Sequence, residues 1–350
     1  MFPLRICIST YYGYTQIGRG LKMKKVVQIA FCLISTAASL SYVSSAKADI
    51  LADTFARLTG PVAAGIQYSD LYGAILRGQL TQGFTSNQAA SLEAEYGLEN
   101  HRANLGWGYA LTPNQRFKIA AEHLAQFMEF NFSSGDASRW ISQNAIGGSY
   151  QYLIPSSFIN DINANLDYSK AISNNLPARS SNSSTVQRHA AGANNTGGGI
   201  GVDITPTYGT LVGAQLNYDD VKYEVRYEGD DENDGLGFTL TLQQLLTKHV
   251  KLNLLASSRT PYQDYQGGVS WLLNTHSNDR AEWAFNVERI IGKSAYNYDD
   301  TRLGLDFIYA WDASDSEATS GYNLVSNDLN NWVSQPAVYL KQVLARKDQG

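Results

Sequence analysis

The feature that most constrains the fold is the alternation of apolar and polar residues over positions 301–311. A repeat of two residues is the period of a β-strand with two different faces. The stretch therefore predicts a strand whose apolar face contacts either a protein core or membrane lipid. The apolar set consists of Leu303, Leu305, Phe307, Tyr309 and Trp311.

The N-terminal region predicts a secretory signal. Two lysines follow Met23, then an apolar run and an Ala46-Lys47-Ala48 cleavage site. We expect residues 23–48 to be the signal peptide and residues 1–22 to be an upstream extension, with a genuinely longer leader as the alternative. The run is shorter than the ~20 residues of a membrane-spanning helix.

The composition after residue 48 argues against two classes of protein. Both cysteines, Cys7 and Cys32, precede this point, so the remaining chain needs no disulfide framework. All acidic residues follow it, which makes this part more acidic than the whole chain with its net charge of −5. We therefore expect no nucleic acid partner.

From residue 88 the alternation recurs in about twelve segments of about ten residues, the length of a tilted membrane strand. Short connections such as Thr112–Gln115 alternate along the chain with longer ones such as Ser173–Gly199. We predict an all-β chain that forms a transmembrane antiparallel up-and-down β-barrel of about 12 strands over residues 88–312. A secreted β-sandwich and a soluble β-solenoid are the alternatives.

Other segments permit more than one interpretation. Residues 49–87 predict a periplasmic N-terminal segment with a short helix, or a plug, although 62–85 could also form a strand. The segment Phe117–Phe132 predicts a strand with a bulge near His123, with a helix as the alternative. We expect residues 313–350 to be a periplasmic tail. Its end predicts a helix capped by Ser334, or a further strand, which together with 62–85 would give fourteen strands.

A resemblance to a known class supports the barrel. The motif Arg302-x-Gly304-x-x-Phe307-x-Tyr309 resembles the assembly signal of Gram-negative outer-membrane β-barrels, and residues 88–311 resemble a barrel of porin type. The resemblance implies a place in the cell outer membrane, with the lipid bilayer and the barrel assembly machinery as partners. One departure is that this signal usually ends the chain, whereas here residues 312–350 follow it.

The polar phase of the strands predicts which charged residues line the lumen. On a lipid face near the midplane each basic residue would cost ~2–4 kcal/mol, so we expect the charges inside. If the lumen is open, the excess of acids predicts a weak cation preference; if the charges pair, they form a closed core. The acids are Glu93, Glu95, Glu122, Asp167, Asp203, Glu282, Glu288 and Asp306, and the bases are Lys118, Lys251 and Arg302.

The apolar phase carries aromatic residues near the strand ends. Tyrosine and tryptophan favour the two interfaces between membrane and water, where they form girdles around a barrel. The predicted girdle residues are Tyr96, Trp107, Tyr109, Tyr150, Tyr152, Tyr168, Tyr218, Trp271, Trp283, Phe307, Tyr309 and Trp311.

The sequence contains no H-E-x-x-H and no G-x-S-x-G motif. The string His276-Ser277-Asn278 and the acid pairs Asp219-Asp220 and Asp299-Asp300 faintly resemble sites of outer-membrane hydrolases, but they lack the matching partners. The run Asp230–Asp234 lacks the spacing of a calcium loop. We therefore expect neither an enzyme nor a metal or cofactor site.

Three functional hypotheses follow. The first is a porin-like channel for small hydrophilic solutes with weak cation preference. The second is a non-conducting surface barrel whose loops bind a host or envelope partner. The third, an outer-membrane hydrolase, has the least support.

Overall fold

The computed structural model describes most of the chain from residue 62 onward. The described residues all belong to one compact unit, residues 52–350. The predicted signal peptide and the short helix predicted at the start of residues 49–87 lie outside the described residues. These are 62–132, 135–154, 158–181, 184–224, 231–273, 280–292, 299–310, 329–334, 343 and 346–348.

The described residues form strands and one short helix. In chain order they are β1 (Val62–Ser69), β2 (Gly73–Thr85), β3 (Gln88–Gly97), β4 (Asn100–Thr112), β5 (Gln115–Phe130), β6 (Ala137–Leu153), β7 (Ile159–Ala171), β8 (Asn174–Ser181), β9 (Ser184–Ala191), β10 (Ala193–Thr207), β11 (Thr210–Tyr223), β12 (Asp231–Thr247), β13 (Val250–Ser258), β14 (Tyr262–Leu273), β15 (Arg280–Gly292), β16 (Asp299–Ala310), α1 (Leu329–Ser334) and β17 (Arg346–Asp348).

Fourteen of these strands close into one antiparallel barrel. Each strand pairs with its neighbours in the chain, except that β7 pairs with β10 across an inserted hairpin. Strand β16 closes the barrel on β1, with Leu305 opposite Ile66. The all-β antiparallel barrel is therefore confirmed, with the alternative count of fourteen strands.

All twelve predicted strands are present, and residues 62–85 supply the other two. The prediction that residues 49–87 form a periplasmic segment or a plug was therefore wrong for 62–85, which form β1 and β2, so the barrel begins at residue 62 rather than 88. The alternation in β2 is weak because Ile75, on its inner face, is fully buried against Tyr72 and Ile290 inside the barrel.

Strand β5 runs without interruption, so the predicted bulge near His123 was wrong. Its pairings with β4 and β6 keep one register through His123. The apparent change of phase arises because three inner positions beyond it, Leu124, Met128 and Phe130, are apolar. Two of these residues, Met128 and Phe130, pack against Leu176 and Ala190 of the inserted hairpin.

The segment 173–199 was predicted to be a loop, but it forms a hairpin and the start of β10. We call β8–β9 the lumenal hairpin. Its base is fixed by Ser173, whose hydroxyl accepts a hydrogen bond from the Gly192 N–H over 2.9 Å and donates one to the Glu224 carboxylate over 2.6 Å. That hydrogen bond lowers the pKa of Glu224 below its usual value.

The two ends of the barrel differ. The turn end holds the first residue of β1, the last residue of β16 and tight connections such as 86–87, 113–114 and 208–209, where Gly209 has a φ of 81°. That angle is one that glycine adopts without strain. The loop end holds the lumenal hairpin and the connection 131–136, together with short turns such as 98–99. No helix in the described part of the chain is both long and apolar enough to cross a membrane.

The C-terminal region departs from the predicted periplasmic tail. Helix α1 ends at Ser334, where the predicted helix was to begin, and residues 346–348 form a strand paired with β9. Residues 335–342 lie outside the described residues. Because α1 and Val343 contact inward-facing residues of the barrel wall, the described parts of the tail lie inside the barrel rather than beneath it.

Candidate functional site

The inner face of the barrel wall, which surrounds the lumen, carries every charged residue that the alternation assigned to it. These residues share the phase of buried neighbours; Glu95 and Arg302, for example, are each 5% exposed. Lys251 faces inward because it pairs directly with the buried Ser270. The set is Glu93, Glu95, Lys118, Glu122, Asp167, Asp203, Lys251, Glu282, Glu288, Arg302 and Asp306.

Two inward arginines that the prediction missed organise part of this face. Arg102 contacts Glu122 over 2.8 Å, Glu95 over 3.2 Å and Glu93 over 3.5 Å. Arg102 belongs to β4, because the preceding turn ends at residue 99. The arginine therefore neutralises acids that were counted as unpaired.

Arg77 links the same acids to the strand that closes the barrel. Its guanidinium lies 3.5 Å from Glu95, 3.7 Å from Glu93 and 3.5 Å from Asp306. Asp306 also accepts a hydrogen bond from Asn286 over 3.0 Å. The signal for Arg77 was present in the sequence, because Arg77 lies in phase with Gln79 and Thr81. We call Arg77, Glu93, Glu95, Arg102, Glu122 and Asp306 the charge cluster.

Buried ion pairs lie nearer the loop end. Arg259, 1% exposed, contacts the fully buried Asp219 over 3.2 Å. Arg302 contacts Asp300 over 2.6 Å and Glu288 over 3.7 Å. Such pairs need good geometry to offset the cost of removing two charges from water.

The segments that had been compared with hydrolase or calcium sites have structural roles where they are described. Asp219 and Asp300 belong to the buried ion pairs, and Asp299 pairs with Arg289 on the surface over 2.8 Å. Within the acidic run, β12 begins at Asp231, and Asp234 accepts a hydrogen bond from the Tyr218 hydroxyl over 2.8 Å. The string 276–278 lies outside the described residues.

The wall encloses a cavity of about 660 Å³. Its lining includes the charge cluster together with further acids, amides and hydroxyls such as Asp203, Asn253 and Asp264. The lumenal hairpin covers the loop end, where Arg188 donates hydrogen bonds to the Gly135 and Asp136 carbonyl oxygens over 2.8 and 2.9 Å. Helix α1 packs against Ala89 nearer the turn end. The lumen is therefore a chamber lined by both charged and apolar side chains, with protein segments at both ends.

The outer face has the opposite character. Leu105, Leu166 and Leu216 are 59%, 74% and 52% exposed, because no protein covers them. A belt of exposed leucine around a closed barrel with a charged interior is arranged for contact with hydrocarbon. The chain is a transmembrane β-barrel of the outer-membrane type.

Aromatic residues border this belt. The Trp283 and Phe307 rings lie 5.0 Å apart near the turn end, and Trp107 stacks on Tyr109 at 5.9 Å. The predicted girdle residues divide between the two ends, and Trp311 lies outside the described residues. At the turn end are Trp107, Tyr109, Tyr150, Tyr152, Trp271, Trp283, Phe307 and Tyr309; at the loop end are Tyr96, Tyr168 and Tyr218.

No protein-family model and no curated protein sequence matches the barrel. Among solved structures it is similar to the CymD monoaromatic hydrocarbon channel, at 9% identity over 71% of this chain and 87% of that chain, with a TM-score of 0.37. The Pseudomonas putida toluene transporter TodX gives 9% identity over 72% and 87%, with a TM-score of 0.40. The translocator domain of autotransporter NalP from Neisseria meningitidis gives 13% over 79% and 98%, with a TM-score of 0.42. With TM-scores below 0.5, the fold assignment rests on the barrel's own strand pairing.

Proposed function

We propose that this barrel is a porin-like channel of the outer membrane that passes small hydrophilic solutes with a weak preference for cations. The observation that supports the proposal is the cavity of about 660 Å³, lined by charged and amide side chains, inside a barrel with an apolar exterior. A polar interior of this volume lies in the range of ~300–1,000 Å³ that small ligands occupy.

The strand number supports a narrow path. Barrels of about 8 strands are filled by their own side chains, whereas those of about 16–18 strands leave an aqueous channel. Fourteen strands lie between these limits. Long inward side chains such as Arg77 and Arg102 narrow the lumen further, which favours small solutes.

The charge around the cavity supports the cation preference. The acids in its lining outnumber the bases even after the charge cluster is paired, and low-dielectric walls focus the remaining field. The preference should be weak because arginines neutralise much of the acidic face. The lining acids are Glu93, Glu95, Glu122, Asp203, Asp264, Glu288 and Asp306, and the bases are Arg77, Arg102, Lys118 and Arg302.

The proposal includes transport rather than catalysis, and assembly by the barrel assembly machinery. The motif that resembles an assembly signal, Arg302 to Tyr309, lies on β16, the strand that closes the barrel against β1. If the assembly machinery binds β16, it holds the strand whose pairing with β1 closes the barrel.

A second candidate, the non-conducting surface barrel, is favoured by the protein segments within the lumen. The lumenal hairpin packs against Phe130 and Ile141 on the inner face, and α1 packs against Ala89. If these segments block passage, the exposed connections at the loop end become the functional surface.

Single-channel recording in planar bilayers separates the two candidates. The folded full chain should conduct, and a KCl gradient should give a reversal potential of the sign for K⁺ preference. Replacing Asp203 and Asp264 together with asparagine should reduce that potential, because both line the cavity. Glu129→Gln is the matched control, since Glu129 is exposed on the outer face. Anion preference, or no conductance from folded protein either with or without its C-terminal tail, would reject the channel.

A further inference from the structure

Helix α1 packs in a recess on the inner face of β3 and β4, which we call the seat of α1. The seat includes Ala89, Ser91 and Gly108. Val333 is 1% exposed and packs with Ala89, and the Ser91 hydroxyl donates a hydrogen bond to the Val333 carbonyl oxygen over 3.0 Å. A Cβ placed on Gly108 would overlap the Val333 side chain. Glycine at this position therefore makes the room that the helix occupies.

The same helix contributes an aromatic ring to the cavity. Trp332 lines the cavity, and the Lys118 ammonium nitrogen lies 5.8 Å from the centroid of its ring. This distance is within the ~6 Å range of a cation–π interaction. The contact binds α1 to β5 in addition to β3 and β4.

A second contact lies nearer the loop end. The Val343 backbone N–H donates a hydrogen bond to the side-chain oxygen of Gln143, which is 2% exposed on the inner face of β6. Val343 itself is 1% exposed and packs among Ala193, Val221 and Tyr223, all on inward positions of β10 and β11. Val343 is therefore held by one side-chain amide, that of Gln143, and by an apolar recess in the wall.

A third contact is made through the backbone. Residues 346–348 pair antiparallel with residues 189–191 of β9, which adds a third strand to the lumenal hairpin. Strand addition recognises an extended peptide through its main chain. The tail therefore reaches the loop end, although β16 ends at the turn end.

The contacts are close enough for one chain to make all of them. Ser91, which contacts Val333, aligns through β4 with Ala120 of β5, and Gln143, which contacts Val343, pairs with Leu124 of the same strand. Along the strand direction the two contacts are therefore four residues apart, roughly 13 Å. The chain from Ser334 to Val343 can span up to about 30 Å.

We infer that the described parts of the C-terminal tail, residues 329–334, 343 and 346–348, occupy the lumen of their own barrel as a built-in plug, and that the lumen is a binding site for a peptide of this sequence. Four features of the barrel would recognise this peptide: the apolar surface under α1, the Lys118 cation over the Trp332 ring, the Gln143 amide and the edge of β9 that pairs with residues 346–348. The position of the tail stands on these contacts alone; its effect on conductance rests on the proposed channel function.

Disulfide cross-linking in membranes tests the position of the tail. The two native cysteines, Cys7 and Cys32, both precede residue 49, so residues 49–350 contain no other cysteine with which an introduced pair could cross-link. Gln143→Cys with Val343→Cys should cross-link on mild oxidation. Asn144→Cys with Val343→Cys is the matched control, because Asn144 is exposed on the outer face of the same strand. Equal yields from the two pairs, or no cross-link in folded barrel, would overturn the inferred position.

Conductance tests the plug. A chain lacking residues 329–350 should give a larger single-channel conductance than the full chain, and a synthetic peptide of residues 329–350 should reduce it again. Because the shortened chain could fold poorly, Gly108→Leu provides a second test: it fills the seat of α1 and should also raise conductance. Ala103→Leu, on the lipid side of the same strand, should leave conductance unchanged.

The outcomes separate the two proposals. Equal conductance of full and shortened chains, with no effect of the peptide, would refute the plug while the channel stands. A cross-link between positions 143 and 343, with no conductance from either folded chain, would refute the channel and leave the tail inside the lumen.

Discussion

Replacing Leu305 with arginine tests the orientation of the strands with respect to lipid. Leu305 lies near the middle of β16, is 41% exposed on the outer face and has apolar cross-strand partners in Ile66 and Phe285. Arginine on the lipid face costs about 2–4 kcal/mol at the midplane and about 0–1 kcal/mol near an interface. The midplane cost corresponds to a folding equilibrium that is roughly 30- to 900-fold less favourable.

Urea unfolding in lipid vesicles, followed by tryptophan fluorescence, measures this cost. Leu273→Arg makes the same change on the outer face at the last residue of β14, where the cost should be about 0–1 kcal/mol. Asn286→Arg places the cation on the cavity side, one strand from Leu305, and should cost less than Leu305→Arg. Equal costs for all three variants would refute the lipid-facing assignment.

Three further predictions concern the interior and the fold. Arg102→Met should lower the free energy of unfolding by about 3–5 kcal/mol, because it removes the guanidinium that contacts Glu93, Glu95 and Glu122 inside the barrel. A cost below about 1 kcal/mol in urea unfolding would contradict the charge cluster. Arg259→Met should cost a similar ~3–5 kcal/mol, and adding Asp219→Leu should recover part of the loss; strictly additive losses would show that the pair is not coupled. Purified protein should migrate differently on gels before and after boiling and give β-type circular dichroism in detergent, whereas a strongly helical spectrum would exclude the barrel.

The strands of the wall could be predicted because their apolar side chains face lipid outside the barrel and their polar side chains face the lumen, the reverse of a water-soluble barrel. Each wall strand sets an apolar face against hydrocarbon and a polar face against the lumen, as Leu305 and Asp306 do, and this contrast is visible in the sequence. The alternation of polar and apolar residues is weaker where protein fills the lumen, because inward residues there are also apolar. Ile75 and Phe130 are inward and apolar because they pack against other inward residues or the lumenal hairpin.

The charge cluster was predicted only from its acidic side. Glu93, Glu95 and Asp306 follow from strand phase. Arg77 was also in phase, but residues 62–85 were not assigned to the barrel. Arg102 depended on the exact start of β4, and strand ends are weakly encoded in a local pattern. A turn of only two residues brings Arg102 into β4 and turns it inward. Inward acids such as Asp219, Asp264 and Asp300 were missed as well, so acids still outnumber bases on the inner face.

The contents of the lumen could not be read from local sequence. The lumenal hairpin is rich in asparagine and serine and has no apolar period, so its strands depend on tertiary contacts at Leu176 and Ala190. The seat of α1 likewise requires Gly108 and Val333, which are far apart in the chain.

The claim that these strands cross a lipid bilayer with the predicted faces is tested by a spin-label scan of β16. Single cysteines at residues 302–309 would each carry a nitroxide, and the accessibility of each nitroxide to oxygen and to a water-soluble nickel complex would be measured in vesicles. Oxygen accessibility should peak at Leu303, Leu305 and Phe307 and fall at Arg302, Gly304 and Asp306, with a period of two residues. A flat profile, or oxygen maxima at the even positions, would contradict the barrel's placement in the membrane.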